Sequence, residues 1–324
     1  MARSRSFVDP RIVCALSEAA ARVSAMPKEQ GLDDAAQAPL KHGLVLPPDI
    51  VGEDAAAMIE YAVAAEDAGW DGVFMWDVLV SPAPPDDRGR AGDPEPWHPE
   101  AFEPVIDPVI TLAGIAARTE RIALGTWIIP LPRRHPWQVA RDLATLDRLS
   151  GGRVILGAGL GRRSEYDLFG TEWHPATIAG RFDEALELVD RFWSGSPVTF
   201  HGEHFSVDGV AVLPTPVQRP RIPILIAGFW PNRKPLKRAA RWDGYMPVVS
   251  PDPDGDLREL CAAYRDLAGE PAHLFIYGSP DEVTPERVQA YRELGVTWFG
   301  SYCLDAGKGR AGNLEEIRRG PPPR

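Results

Sequence analysis

The clearest pattern of apolar and polar positions lies between Arg121 and Gly161, where a strand, a helix and a second strand follow one another. Ile122 to Leu124 form a short apolar run, which is typical of a strand buried on both faces. After a proline at the first-turn position, apolar residues recur at helical spacing from Val139 to Leu149, and a glycine pair then ends the helix. Val154 to Leu156 resume as a strand. The pattern therefore predicts two parallel strands joined by a helical crossover.

The same alternation recurs along the chain and predicts eight strands, each followed by a helix. The strands are Gly43 to Leu46, Gly72 to Trp76, Ile122 to Leu124, Val154 to Leu156, Ile222 to Ala227, Gly244 to Val249, Leu274 to Tyr277 and Val296 to Tyr302. The helices are Asp54 to Asp67, Val105 to Ala117, Pro136 to Leu149, Phe182 to Trp193, Lys234 to Ala240, Leu257 to Ala268, Pro285 to Leu294 and Leu314 to Ile317. This order predicts an α/β fold, a closed TIM-type (β/α)8 barrel with insertions at its C-terminal face. The alternative is a doubly wound open sheet, but its glycine fingerprint normally follows the first strand, and here three strands precede the glycine-rich run.

Some stretches fall outside this repeat. Residues 1 to 41 show no sustained apolar stripe, so we predict an N-terminal extension of disorder-compatible composition before a barrel domain that spans residues 42 to 320. Ser81 to Pro104 and Arg162 to Gly180 are long excursions between elements, and such loops are usually functional. Pro197 to Phe205 alternates around a polar turn, which predicts a hairpin added to the barrel.

Composition narrows the classes of function. The chain has 324 residues, 44% of them hydrophobic, and a net charge of −11, which argues against nucleic acid and anionic membranes as partners. The three cysteines, Cys14, Cys261 and Cys303, form no CxxC pair, so the sequence supports neither a disulfide framework nor a zinc site. No apolar run reaches the ~18 residues of a membrane span, and Glu18 and Arg22 interrupt any signal-like core. We therefore expect a cytoplasmic location.

Gly157, Gly159 and Gly161 follow the fourth predicted strand in the run GAGLGR. Glycine has no Cβ, so the backbone can approach a flat or phosphorylated ligand closely. The run also lies at the C-terminal end of a parallel strand, where barrel enzymes place their chemistry. The alternative is that a crowded barrel needs small residues for packing here.

Other predicted strand ends carry an acid and flat apolar surfaces. Asp77 follows the second strand, where a carboxylate could hydrogen-bond a cofactor ring or take a proton; the alternative is an ordinary loop or capping aspartate. Trp76, Trp97 and Trp127 lie near the same predicted opening, which suits an aromatic ring system, although tryptophans in barrels are often simple core.

A candidate anion site follows the fifth predicted strand. Gly228 ends that strand, and Asn232, Arg233 and Lys234 open the next helix, so backbone N–H groups and two cations could together hold a phosphate. Arg162 and Arg163 could serve the same phosphate, and the alternative is a solvated basic helix start. We predict no metal site, because the one HxxH pair straddles the hairpin turn without a third ligand nearby.

With these residues placed, the chain resembles the luciferase-like monooxygenase superfamily of flavin-dependent oxidoreductases from about His42 to Tyr302. The matching blocks are TERIALGT, LATLDRLSGGRVILGAGLG, RFDEALELVDRFWSG, LPTPVQRPRIPILIAG and RAARWDGYMP. The resemblance implies a barrel that uses FMN or an 8-hydroxy-5-deazaflavin coenzyme. For the site it implies that Gly157, Gly159 and Gly161 contact the flavin and that the loop from Gly228 to Arg233 binds its phosphate. It also implies a bulge behind the flavin ring at Thr126, Trp127 and Ile128, which carries a cis peptide in some members.

One departure from the family concerns proton transfer. Many deazaflavin-using relatives carry Asp-His at the end of strand two, whereas Val78 follows Asp77 here. His98 in the long excursion and His135 before the third helix are the substitute candidates.

The resulting hypothesis is a flavin-dependent monooxygenase that uses reduced FMN and oxygen on a small organic substrate. NAD(P)H or a separate flavin reductase would supply the reduced FMN. The alternatives are hydride transfer by the deazaflavin without oxygen, a non-catalytic flavin-binding protein, and a metal-dependent barrel hydrolase, for which clustered histidines are missing. The resemblance also implies a homodimer.

Overall fold

A computed structural model of the chain describes residues 39–51, 54–82, 102–248, 255–268 and 273–322. Residues 1–38 of the predicted extension lie outside this description, as do Trp97 and His98. The first strand begins at Lys41, one residue before the predicted start of the domain, and Leu40 beside it is already buried. The extension itself stays a prediction.

Eight parallel strands form a closed barrel, as the sequence predicts. They are β1 (Lys41–Val45), β2 (Gly72–Met75), β3 (Ala123–Thr126), β4 (Val154–Gly159), β5 (Ile224–Gly228), β6 (Gly244–Pro247), β7 (His273–Gly278) and β8 (Trp298–Ser301). Each strand pairs with the next along the chain, and β8 closes the ring on β1. The C-terminal ends of all eight strands therefore lie at one rim, which we call the mouth.

One helix follows each strand and covers the outside of the barrel. The helices are α1 (Ala55–Asp67), α2 (Pro108–Ala116), α3 (Pro136–Ser150), α4 (Pro175–Trp193), α5 (Arg233–Ala239), α6 (Asp256–Ala268), α7 (Pro285–Glu293) and α8 (Gly309–Arg318). None of the helices in the described part of the chain has the length and apolarity that spanning a lipid bilayer would need.

The second excursion is shorter than predicted, because α4 begins at Pro175 and not at Phe182. Gly180 accounts for the error in the predicted start of α4, because a glycine at this place in the sequence is typical of the end of a loop. In the structure it lies inside the helix, and a Cβ there would come within 2.7 Å of His204 Nε2. Glycine leaves room for the His204 side chain, which comes from the hairpin that follows the helix. A further short helix, Arg163–Leu168, occupies the start of the same excursion.

The other insertions also lie close to their predicted places. Val198–His201 and Ser206–Val210 form the predicted antiparallel hairpin. The first excursion begins and ends in two paired residues each, Ser81–Pro82 and Phe102–Glu103, which form a small antiparallel ladder. α8 is longer than the predicted segment from Leu314 to Ile317.

Large aromatic rings fill the middle of the barrel. The Phe74 ring centroid lies 4.6 Å from that of Phe275 and 5.3 Å from that of Trp298. A Cβ at Gly125 would come within 2.0 Å of the Phe74 ring, so glycine is required where this ring meets the wall. The barrel is thus a packed core and not a pore, and a ligand can approach its interior only from an end.

Candidate active site at the mouth of the barrel

A second set of aromatic side chains lies above this packed centre, at the mouth. Side chains on a strand alternate between its two faces, so Trp76 and Tyr277, two residues beyond Phe74 and Phe275, point into the barrel as those do. The Trp127 ring centroid lies 4.5 Å from that of Tyr277 and 5.4 Å from that of Tyr302. Tyr302 in turn lies 5.9 Å from Trp76. We call these four residues, Trp76, Trp127, Tyr277 and Tyr302, the aromatic layer.

The backbone next to the aromatic layer has an uncommon conformation. The peptide bond between Trp127 and Ile128 is cis, the feature that some members of the resembling family carry at this place. Just before it, the Thr126 hydroxyl donates to the Gly157 carbonyl and accepts from the Gly157 N–H, both at 3.0 Å. Thr126 is fully buried, so its side chain ties β3 to β4 beneath the mouth.

The glycine run is explained by packing against the protein itself. Gly157 and Gly159 face the barrel interior, but a Cβ at Gly157 would come within 2.1 Å of the Thr126 carbonyl oxygen. A Cβ at Gly159 would come within 2.1 Å of Ile128 Cδ1. Gly161 has a φ of +84°, in the left-handed region that glycine tolerates. The alternative interpretation, that a crowded barrel needs small residues at this run, therefore has a physical basis. Contact between these glycines and a cofactor stays a prediction.

Asp77 lies at the mouth, where its carboxylate is bound by two arginines. Arg134 Nε donates to Asp77 Oδ2 at 3.0 Å, Arg134 Nη2 lies 2.8 Å from the same oxygen, and Arg133 Nη2 lies 3.2 Å from Oδ1. Arg133 also pairs with Glu165, which accepts a 2.7 Å hydrogen bond from the Leu79 N–H. We call Asp77, Arg133, Arg134 and Glu165 the Asp77 cluster.

The Asp77 cluster is electrically balanced, and its side chains are buried except that of Arg134, which is 28% exposed. The side chains of Asp77 and Glu165 are 2% exposed and that of Arg133 is 8% exposed. Burial by itself lowers the pKa of the Arg134 guanidinium, but the carboxylates of Asp77 and Asp107 outweigh it and raise the pKa above its usual value. Four charges thus neutralise one another between the loops that follow β2, β3 and β4. A role of Asp77 in proton transfer stays a prediction.

The histidine predictions gain no support from this geometry. His98 lies outside the described residues. His135 caps the start of α3, is exposed, and stacks on Trp137 with ring centroids 4.8 Å apart. Within the described ranges no group of three or more metal-binding side chains occurs.

The residues predicted to form a phosphate cradle lie on neighbouring loops, and their contact with a phosphate stays a prediction. β4 and β5 are paired, so the loops that carry Arg162 and Arg233 leave the mouth side by side. Asn232 caps α5 by accepting from the Lys234 N–H at 3.1 Å, and the Arg233 guanidinium lies 4.6 Å from the centre of the Trp230 ring. Arg162 is exposed, and its guanidinium forms no hydrogen bond or ion pair with the described residues.

Gly228 is a glycine for packing as well. A Cβ there would come within 2.2 Å of Pro235 Cβ and within 3.2 Å of the Tyr245 hydroxyl. The absence of a Cβ at Gly228 lets the first turn of α5 pack against the end of β5. This contact fixes the positions of Asn232 and Arg233.

Several residues at the mouth were missed by sequence reasoning. Arg133 and Arg134 had a signal, since two adjacent charges directly follow an apolar strand end in the run IIPLPRR. Tyr277 and Tyr302 had one as well, because each continues the inward-facing side of its strand. Glu165 had none, because its partner Arg133 lies 32 residues away in the chain.

Curated relatives of the chain include coenzyme-dependent dehydrogenases. An F420-dependent glucose-6-phosphate dehydrogenase of Microbacterium testaceum is 31% identical over 64% of this chain and 57% of its own length, so less than two thirds of that enzyme is matched. An F420-dependent hydroxymycolic acid dehydrogenase of Mycobacterium tuberculosis is 32% identical over 65% of this chain and 54% of its own length. An uncharacterised protein of the same species is 32% identical over 74% of this chain and 82% of its own length.

Solved structures share the fold. A monooxygenase from Streptomyces bottropensis superposes with a TM-score of 0.66 at 24% identity over 86% of this chain and 97% of its own. An F420-dependent secondary alcohol dehydrogenase superposes with a TM-score of 0.63 at 19% identity, covering 87% of this chain and 99% of its own. The sequence pattern of the luciferase-like monooxygenase family matches residues 22–273. The chain therefore belongs to the luciferase-like monooxygenase family.

Proposed function

We propose that the chain is an oxidoreductase that binds an 8-hydroxy-5-deazaflavin coenzyme at the mouth and uses it for hydride transfer. The observation that carries this proposal is the aromatic layer, a cluster of tilted aromatic rings at the mouth, above the packed centre of the barrel. Two curated relatives, at 31% and 32% identity, are F420-dependent enzymes, and F420 is a coenzyme of this deazaflavin class. These relatives favour the deazaflavin over FMN, which the sequence alone placed first.

The residues at the mouth fit such a group. A planar ring system needs apolar surfaces to lie against, and the rings of Trp127 and Tyr302 provide them. A phosphate-bearing tail needs cations that the fold has not already used, and Arg162 is one. Arg233 is exposed on the neighbouring loop, beside the N–H groups at the start of α5.

The coenzyme and the residues of the chain would contribute different parts of the reaction. The bound coenzyme supplies the hydride chemistry, while the chain binds it, orients it and excludes water. The aromatic layer would hold the ring, and the packed rings of Phe74, Phe275 and Trp298 beneath it close the site from below. The Asp77 cluster would fix the loops that surround the ring without itself contributing a free acid or base.

A second candidate is an FMN-dependent monooxygenase. Val78 favours it, because the histidine that many deazaflavin-using relatives place beside Asp77 is absent. In this case reduced FMN would reach the chain from a separate flavin reductase, and oxygen would be the second substrate. The site would bind the ring and its phosphate in the same way.

Titration with both coenzymes tests the proposal. The full chain is titrated with the deazaflavin coenzyme, with FMN and with riboflavin, and binding is followed by quenching of tryptophan fluorescence. We expect saturable binding of the deazaflavin, weaker binding of FMN, and the weakest binding of riboflavin, which has no phosphate. Tighter binding of FMN would favour the monooxygenase, and saturable binding of neither coenzyme would refute both candidates.

A further inference from the structure

A phenol without a protein partner lies at the end of β8. The Tyr302 N–H donates to the Gly278 carbonyl at 3.0 Å, which extends the β7–β8 pairing by one step and fixes the residue at the mouth. Its ring packs against Trp127 and Tyr277, with centroids 5.4 and 5.6 Å away. The side chain is still 37% exposed, and its hydroxyl forms no hydrogen bond with any described residue. The ring is held in place while the hydroxyl is left available.

Other tyrosines of the chain are used differently. The Tyr166 hydroxyl donates to the Leu160 carbonyl at 2.6 Å, so it serves the fold. Tyr245 and Tyr264 are buried in the layer between the barrel wall and the helices, where no ligand at the mouth can reach them. Tyr302 combines a fixed ring, an accessible hydroxyl and a position in the aromatic layer.

The two acids of the Asp77 cluster, among the described residues at the mouth, are already engaged. Asp77 and Glu165 are buried in ion pairs with Arg133, and Asp77 also binds Arg134. His135 is exposed and stacks on Trp137 at the start of α3. Among the described groups at this rim, the Tyr302 hydroxyl has the chemistry of a proton donor and no competing partner.

The surroundings of Tyr302 keep its proton in place at neutral pH. Burial raises the pKa of the phenol well above its usual value, Tyr277 raises it further, and the positive charge of Arg162 lowers it by less. A phenol in this state can donate a proton but cannot accept one. Arg162 would also stabilise the phenolate that remains after donation.

We propose that Tyr302 is the proton donor to the oxygen of a carbonyl substrate that is reduced at this mouth. The inference rests on the proposed function, because it takes a reduced deazaflavin as the source of hydride. Tyr302 would also provide the proton transfer for which many deazaflavin-using relatives have a histidine at the position of Val78. The direction that the inference favours is reduction of an aldehyde or ketone to an alcohol.

The step balances with the coenzyme as the two-electron reductant. The carbonyl carbon gains a hydride, the C=O π bond breaks, and its electron pair moves to the oxygen. The oxygen takes the Tyr302 proton as the phenolic O–H bond breaks, which gives the alcohol. The exposed edge of Tyr302 lets water return the proton to the phenolate.

The test compares the full chain with Tyr302→Phe, which keeps the ring and removes only the hydroxyl. Tyr264→Phe is the matched control, because its hydroxyl is buried on α6 without a partner among the described residues. Each protein is loaded with reduced deazaflavin and mixed with cyclohexanone, acetophenone and benzaldehyde. We expect Tyr302→Phe to bind the coenzyme as the wild type does but to reduce the carbonyl probes about 100-fold or more slowly. Tyr264→Phe should match the wild type.

Two further measurements separate proton donation from a structural role. The wild-type rate should fall as alkaline pH removes the Tyr302 proton, above the usual phenol value of about 10, and Tyr302→Phe should lack this decline. The near-ultraviolet phenolate absorbance of the coenzyme-free proteins should show that the tyrosine lost in Tyr302→Phe titrates above that usual value.

Each outcome decides a separate point. An unchanged rate in Tyr302→Phe overturns the donor role, as does an alkaline decline of the rate that persists in Tyr302→Phe. An ordinary pKa for the missing phenol contradicts the partly buried environment from which the proposal is argued. A wild type that binds the coenzyme and reduces none of the three probes overturns carbonyl reduction. A wild type that does not bind the coenzyme refutes the proposed function itself, and the fluorescence titration reveals that before any carbonyl is added.

Discussion

Two sets of polar groups at the mouth, which we call the Asp77 side and the Tyr302 side, are used in opposite ways. On the Asp77 side, the Asp77 cluster brings together four charges that neutralise one another, and three of the four side chains are buried. On the Tyr302 side, Tyr302 at the end of β8 and Arg162 after β4 have polar groups with no partner among the described residues. A polar group that the fold satisfies contributes to stability, whereas one that it leaves accessible is free for a ligand. The comparison therefore assigns structure to the Asp77 side and chemistry to the Tyr302 side.

Substitution of Asp77 should have the largest effect, and that effect should be on stability. Asp77→Ala leaves Arg133 and Arg134 without their shared carboxylate inside the protein, and breaking a buried pair in this way costs about 3–5 kcal/mol. In a chain of this size the melting temperature should fall by roughly 10 °C. Denaturant unfolding measures the change in the free energy of unfolding.

The control for this prediction is Asp142→Ala, which breaks the ion pair between Asp142 and Arg141. The two side chains are 41% and 60% exposed, respectively. The substitution should cost less than about 0.5 kcal/mol. If Asp77→Ala unfolds like the wild type yet loses coenzyme binding, Asp77 belongs to the chemistry of the site and the comparison between the two sides fails.

The barrel wall at the glycine run provides the next test. Gly159→Ala places a Cβ against Ile128 Cδ1, and overpacking of this kind costs about 1–3 kcal/mol. Adding Ile128→Val removes the clashing methyl group and should restore the free energy of unfolding. Gly255→Ala is the control, because a Cβ there has nothing within 4 Å.

The double variant separates the two explanations of the glycine run. If Gly159 serves packing alone, Gly159→Ala with Ile128→Val should recover both stability and coenzyme affinity. If the glycine instead lets the backbone approach a ligand, stability returns while affinity stays low, and the wall then belongs with the ligand-binding side.

These tests also mark how far the sequence alone could go. The barrel followed from the repeat of apolar strands and amphipathic helices, because both patterns are local and are ended by glycine or proline. Asp77 was found as a candidate because it follows the second strand, and Arg162 because it follows the glycine run after the fourth strand; strand ends meet at one rim. The contrast between them could not be predicted, because pairing of Arg133 with Glu165 depends on how two separate loops fold against each other.

The smallest predicted effect concerns the free cation. Arg162 and Arg163 are adjacent arginines after β4, but Arg163 pairs with Asp167 at 3.2 Å whereas Arg162 has no such partner among the described residues. Arg162→Ala should therefore weaken coenzyme binding about tenfold, which is about 1.4 kcal/mol, and leave unfolding unchanged. Arg163→Ala should change neither.

Ionic strength sharpens this comparison further. Salt screens exposed charges, so added salt should weaken coenzyme binding by the wild type and by Arg163→Ala more than by Arg162→Ala. The reason is that the variant has already lost the attraction that salt would screen. Equal coenzyme affinities of the two arginine variants, or equal responses to salt, would mean that Arg162 is merely solvated. The absence of a protein partner would then not identify Arg162 as a ligand-binding residue.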